Sequence, residues 1–252
     1  MHRAIIGAMN TVATLAKSFI NLIYPLHCAS CSKPLEAVNE LGVCAFCQAE
    51  IKRNPRPYCD RCGRSIENAP GPCPECVKMQ PLFSRAYSAC LYEGSLKELI
   101  HAFKYKNRRS LSGLFTDLLL DFINDNPDVL DGIDVITFVP IHRKRLNERG
   151  FNQSELLASC LGKAVGIPVK NFLEKRQQTK NQNELSREER LCNINGTTCV
   201  NPEAALEIKG VGVLIVDDVM TTGSTLNESS RALLAAGARE VRCLSLARGL
   251  LA

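Results

Sequence analysis

The chain has 252 residues, 45% hydrophobic and 23% charged, with 16 glycines, 12 prolines and a formal net charge of +5. That composition describes a soluble globular chain with room for one sizeable core and a small appended module. No apolar run reaches the roughly 18 residues of a membrane-spanning helix, and so small a net charge carries no case for a nucleic-acid partner; only local clusters can.

The first element predicted is a helix over 1–24. Arg3 precedes an uncharged stretch over 4–16, which has the outline of a signal peptide, but Asn10, Thr11 and Thr14 break its apolar run. Ile5, Met9, Val12, Leu15 or Ala16, Phe19 and Ile23 recur at helical spacing, so the stretch reads as one amphipathic helix packed on its own domain. Contact with a membrane surface is the alternative for that apolar face.

Residues 25–80 form a cysteine-rich module. Eight of the 13 cysteines fall in four C-x-x-C pairs: Cys28/Cys31, Cys44/Cys47, Cys59/Cys62 and Cys73/Cys76. "CASCSKPL" resembles "CDRCGRSI" and "CAFCQ" resembles "CPECV", which implies two copies of one unit, each giving four sulfurs to a tetrahedral zinc. The repeat predicts sequential pairing, with the first four cysteines on one ion and the last four on the other; a cross-braced arrangement is the alternative. Four thiolates leave no open ligand position, so both zinc ions are expected to be structural. With two zinc ions and eight thiolates the formal charge becomes about +1. Paired thiols of this kind also place the chain in a reducing compartment, the cytoplasm. Cys90, Cys160, Cys192, Cys199 and Cys243 are scattered and read as small apolar residues or inert thiols. Such ribbons contact nucleic acid or brace a neighbouring domain, and the residues leave both open.

From 82 to 252 strands and helices alternate. A strand is predicted over 85–93. A helix follows, with Ser95 and Glu98 as a capping box and Leu96, Leu99, Ile100 and Phe103 on one face. A second helix covers 110–125, a buried strand 133–139, and a helix 152–166 with Asn152 as cap and Gly166 as stop. The buried strand "VGVLIVDD" (211–218), a helix from 224 to 236 and a strand over 240–247 complete the order. This alternation predicts an α/β domain: a mainly parallel sheet with helices on both faces and a ligand site beyond the carboxyl ends of its strands.

The strand at 211–218 ends on Asp217 and Asp218, then runs through Thr221, Thr222, Gly223, Ser224 and Thr225 into a helix. Backbone N–H groups and hydroxyls at such a turn cradle a phosphate, and the helix dipole assists. Two acids beside it accept hydrogen bonds from a vicinal diol, so the pair describes a ribose 5-phosphate. All thirteen positions over 213–225 resemble the phosphoribosyl pyrophosphate (PRPP) signature of type I phosphoribosyltransferases. That resemblance implies that Asp217 and Asp218 hold the ribose hydroxyls, with Mg²⁺, while the 221–225 loop holds the 5′-phosphate. It also implies that the basic tract after the strand at 133–139, Arg143, Lys144 and Arg145 with His142 and Arg149 nearby, grips the pyrophosphate. A solvated basic turn is the alternative reading of that tract.

Three further stretches, "FKYKNRRSL" (103–111), "VPIHRKRLNERGFNQSELLA" (139–158) and "RQQTKNQNELSREERLCNINGTT" (176–198), resemble the ComF/GntX family, in which a double zinc ribbon precedes a phosphoribosyltransferase domain. The resemblance covers nearly the whole chain from about residue 24. It implies a flexible hood over the site, with Gln182, Arg187 and Arg190 closing on the ligand. It further implies a competence protein that handles incoming single-stranded DNA beside other uptake proteins, a helicase or a membrane channel, at the inner face of the membrane. Lys104, Lys106, Arg108 and Arg109 form a third basic cluster that suits such a strand. The alternative is an active phosphoribosyltransferase of nucleotide metabolism with an unidentified nitrogen acceptor. Thr221 stands where 6-oxopurine transferases carry an acid, which disfavours hypoxanthine or guanine.

Overall fold

The computed structural model describes residues 26–35, 41–67, 71–175 and 198–249. The helix expected over 1–24, the hood residues Gln182, Arg187 and Arg190, and Cys192 lie outside these residues.

The ribbon is an internal repeat down to its backbone hydrogen bonds. Cys28 N–H donates to Lys33 O at 2.8 Å and Cys59 N–H to Arg64 O at 2.7 Å, closing two equivalent knuckles. Cys44 N–H donates to Cys28 Sγ at 3.4 Å and Cys73 N–H to Cys59 Sγ at 3.2 Å. One short helix follows each, α1 (Ala45–Ala49) and α2 (Pro74–Met79). The left-handed turn position is Ser32 (φ 60°) in the first knuckle and Gly63 (φ 65°) in the second. Glycine is required only in the second, because a Cβ on Gly63 would lie 2.4 Å from the carbonyl oxygen of Ala86.

Beyond the ribbon come β1 (Arg85–Leu91), α3 (Gly94–Tyr105), α4 (Leu111–Asp125), β2 (Val135–Phe138), α5 (Arg143–Arg149) and α6 (Gln153–Val165). They are followed by β3 (Leu173–Lys175), β4 (Thr198–Val200), α7 (Ala205–Ile208), β5 (Gly212–Met220), α8 (Ser224–Ala235) and β6 (Glu240–Arg248). The main sheet is parallel, in the order β1-β6-β5-β2, and β3 and β4 form a separate antiparallel pair.

Strand periodicity sorts the core into two layers. Leu214 and Val216 of β5 pack with residues of α3, α4 and α6, including Phe103, Phe115 and Leu157. Val213 and Ile215 face the other side, with Leu226 and Leu233 of α8. Each layer also takes in one zinc knuckle: Cys28 and Cys47 in the first, Cys59, Cys62, Cys73 and Cys76 in the second. The ribbon is therefore packed into the domain's core on both faces of the sheet.

Three local expectations need correction. Ser95 does not cap α3; Glu93 holds the N-cap position without a side-chain bond, and the Ser95 hydroxyl donates to Glu50 Oε2 at 2.9 Å, tying the helix to the ribbon. The strand bearing the acids does not end on them, since Val219 and Met220 still pair with Ala247 and Arg248 of β6. The basic tract is a helix, α5, capped at His142, whose Nδ1 accepts from Lys144 N–H at 3.2 Å. Asn152, by contrast, caps α6 as expected, accepting from Ser154 N–H at 3.1 Å, and Gly166 ends it in the left-handed region at φ 73°.

Candidate functional site

At the carboxyl ends of β5 and β2 lies a cavity of about 610 Å³. Its floor is Asp217 and Asp218. One wall is the turn after β2 (Val139, Pro140 and Ile141) with His142 and with Lys144, Arg145 and Arg149 of α5; Lys104, Gln153, Ser154, Lys175 and Thr225 close the rest. A strand end beside a helix start is where a parallel sheet leaves room for a ligand, because the crossovers on either side diverge.

The two acids are held differently. Asp218 continues the face of Leu214 and Val216 and meets α3, where Lys104 Nζ lies 2.8 Å from its Oδ1. Asp217 Oδ1 accepts from Ser154 Oγ at 2.9 Å and from Asp218 N–H at 2.8 Å. Burial, and then the charge of Asp218, push the Asp217 carboxyl up to about 7. Near neutral pH the acid pair and Lys104 thus carry little net charge, while the facing wall is strongly cationic. The cavity suits a polyanion that presents hydroxyls to its floor.

The loop after β5 is built as a turn for small residues. Gly223 has φ 82° and opens α8, and Thr222 Oγ1 and Ser224 Oγ lie 3.0 Å apart. Thr221, Thr222 and Ser224 are exposed, Thr225 is half-buried and lines the cavity, and Gly223 is buried. Behind this loop sits the second knuckle. Arg248, 2% exposed at the end of β6, is in register with Met220, and its guanidinium donates to Cys62 O at 3.3 Å and Cys62 Sγ at 3.7 Å. Asn227 of α8 accepts from Leu82 N–H at 2.6 Å.

Of the cations expected to face a ligand, Lys144 and Arg145 line the cavity, and Arg143, exposed one residue earlier on α5, is not among the lining residues. Arg149 is anchored: it donates to Gln153 Oε1 at 2.9 Å and to Tyr105 Oη at 3.0 Å, with its guanidinium 4.9 Å from the Tyr105 ring centre. The third basic cluster divides. Lys104 belongs to the cavity, Arg109 stacks 4.6 Å from the Phe151 ring centre and donates to Gly150 O at 3.0 Å, and Lys106 stays exposed. Lys104 and Ser154 are site residues the sequence reading missed. Nothing near either in sequence marks a partner more than sixty residues away on another element.

In the ribbon, each set of four sulfurs lies within 4.8 Å of one another, grouped sequentially: Cys28, Cys31, Cys44 and Cys47, then Cys59, Cys62, Cys73 and Cys76. Tetrahedral zinc with Zn–S bonds of about 2.3 Å sets neighbouring sulfurs about 3.8 Å apart. Cys31 and Cys44 are 3.8 Å apart, as are Cys62 and Cys73. The donor sets fit structural zinc, and the cross-braced alternative fails.

Comparison with known proteins agrees with both halves. Residues 19–77 match the family model described as a double zinc ribbon domain, and residues 112–250 match that of the phosphoribosyl transferase domain. The chain is 32% identical to Competence protein F of Haemophilus influenzae, over 89% of this chain and 98% of that protein. It is 32% identical to DNA utilization protein YhgH of Escherichia coli K12, over 91% of this chain and all of the relative. It is 27% identical to Competence protein ComFC of Bacillus subtilis, over 77% and 79%. With ribbon and transferase-type domain joined in one core, and such relatives aligned along nearly its whole length, this chain belongs to the ComF family of phosphoribosyltransferase-domain proteins.

Proposed function

We propose that this chain is a DNA-uptake protein whose phosphoribosyltransferase-type domain binds PRPP and which handles single-stranded DNA on its way into the cell. The observation that carries the first half is the acid pair at the floor of a cation-walled cavity, directly before a glycine-opened helix start. In this reading Asp217 and Asp218 receive the ribose hydroxyls. Thr221, Thr222, Gly223, Ser224 and Thr225 receive the 5′-phosphate through amides and hydroxyls. Lys144, Arg145 and Arg149 meet the pyrophosphate, with Arg143 at the outer edge of α5. Gln182, Arg187 and Arg190 are assigned to a hood that closes over the ligand. Asp217 and Asp218 would hold the ribose hydroxyls, and Mg²⁺ bound with PRPP would supply offset of the ligand's anionic charge there.

The test is calorimetric titration of PRPP with Mg²⁺ into the wild type and an Asp217→Asn/Asp218→Asn variant. Micromolar binding is expected in the first, and a loss of at least about 2 kcal/mol in the second, from stranded ribose hydroxyls. Equal affinity in both would end this reading. Incubation with PRPP and a panel of bases then separates binding from transfer, since an active transferase releases pyrophosphate.

The second half rests on the names of the relatives, two competence proteins and a DNA utilization protein, and on exposed cations next in sequence to cavity-lining residues. Lys106 and Arg143 are exposed, and Tyr105, 60% exposed, offers a ring for base stacking beside Arg149. No helix among the described residues is long and apolar enough to cross a membrane. A cytoplasmic protein working at the inner face of the membrane, beside a helicase or a channel, fits this reading. Single-stranded DNA binding that weakens as salt rises is expected, and salt-insensitive or absent binding removes this half.

A further inference from the structure

The two zinc sites are built alike but not enclosed alike. In the second set Cys59, Cys62, Cys73 and Cys76 are all buried, and Arg248, itself 2% exposed, donates to Cys62 Sγ at 3.7 Å. In the first set Cys28 and Cys47 are buried, Cys44 is half-buried and Cys31 is exposed. Cys31 Sγ is 3.8 Å from Cys44 Sγ, and the four sulfurs of the set all lie within 4.8 Å of one another. Zinc binds cysteine as thiolate, so thiolate character does not choose among these sulfurs once the chain is loaded. Access does, and by access Cys31 is the sulfur that a small oxidant in solution meets first.

We infer that Cys31 is an oxidation site: hydrogen peroxide joins it in a disulfide to a second thiolate of the first set, and the first zinc is lost while the second stays bound. The Cys31 thiolate attacks the peroxide, an S–O bond forms as the O–O bond breaks, and the departing hydroxide takes a proton to become water. A neighbouring thiolate then attacks the sulfenic sulfur. An S–S bond forms, the S–O bond breaks, and the second hydroxide leaves with a second proton as water. Two thiolates have lost two electrons in total, and one peroxide has become two waters. The two thiolates that remain are too few for a structural zinc.

The first knuckle also stands behind α3. Cys28 and Cys47 pack in the same core layer as Leu96, Leu99 and Phe103, and Glu50, which follows α1, accepts from Ser95 Oγ at 2.9 Å in the first turn of α3. Loss of the first ion therefore loosens α3, the helix whose last turn brings Lys104 to Asp218.

The experiment exposes the zinc-loaded full chain to hydrogen peroxide. Zinc release is followed with a chromogenic chelator, disulfides are mapped by peptide mass spectrometry after alkylation, and hydrogen–deuterium exchange is read over α3 and α8. Release of one zinc per chain at least about tenfold faster than the other is expected, together with a disulfide that includes Cys31 and faster exchange over α3 but not α8. No release, release of both ions at one rate, a first disulfide that lacks Cys31, or unchanged exchange over α3 once the first ion has left overturns the inference. The wild type alone carries the test, so it does not depend on a cysteine variant that fails to fold.

Discussion

Asp217→Asn is expected to stabilise the free protein at neutral and alkaline pH while destroying its ligand site. The carboxyl is pushed up to about 7 from an ordinary value of 3.8, first by burial and then by the Asp218 charge. The unfolded chain ionises this group near 3.8 and the folded chain near 7. Between those values the folded state holds the extra proton, so stability falls as pH rises through the window and levels off above it. Three pKa units correspond to about 4 kcal/mol at 1.36 kcal/mol per unit, but Asp217 titrates together with Asp218, so about 2 kcal/mol is the working figure. Asparagine is a near-isostere of the protonated acid: its oxygen can accept from Ser154 and the Asp218 amide as Oδ1 does. Urea unfolding of both proteins at about pH 5.5 and about pH 8 reads the effect, and the advantage of the variant should grow by about 1 kcal/mol between them. An advantage that does not change with pH, or a variant less stable than wild type at the higher pH, would refute the reasoning.

Two other expectations concern the ribbon. Gly63→Ala places a methyl 2.4 Å from a backbone carbonyl of β1 and should cost about 2–4 kcal/mol in thermal or urea unfolding, whereas Ser32→Gly at the equivalent turn should change stability by less than about 1 kcal/mol. A loss of no more than about 1 kcal/mol for Gly63→Ala would mean that the left-handed turn, and not the close approach to β1, makes Gly63 necessary. Stripping zinc should release two ions per chain and weaken PRPP binding, because Cys62 and Arg248 support the loop after β5. A metal-free protein of unchanged affinity would show that the loop stands without the knuckle.

Much of the fold was legible because the decisive signals were local. Asn152 and Gly166 bracket α6 through bonds that span two to four residues, and the unbroken apolar run from Val213 to Val216 marks β5 as a strand covered on both faces. Ser95 shows where local reasoning ends. Ser95 and Glu98 satisfy a capping box in sequence, yet the hydroxyl finds Glu50, forty-five residues earlier. The competing acceptor came from the ribbon, and only tertiary packing could bring it there.

The candidate site divides along the same line. The loop and acids proposed to take phosphate and ribose sit on one strand-turn-helix unit, so thirteen consecutive residues announce them. Lys104 and Ser154 reach those acids from α3 and α6, and their chemistry exists only once both helices pack on the same face of the sheet. In isolation Lys104 is one of four cations within six residues, 104–109, and reads as surface charge. Packing sorts the cluster by helical phase: Phe103 turns into the core, Tyr105 faces solvent, and Lys104 between them reaches the floor of the cavity. The cation that pairs with Asp218 is thus chosen by how α3 packs on the sheet. A substitution that rotates that helix, such as a smaller residue at Phe103 against Phe115 and Phe151, should weaken ligand binding without touching any group that meets the ligand.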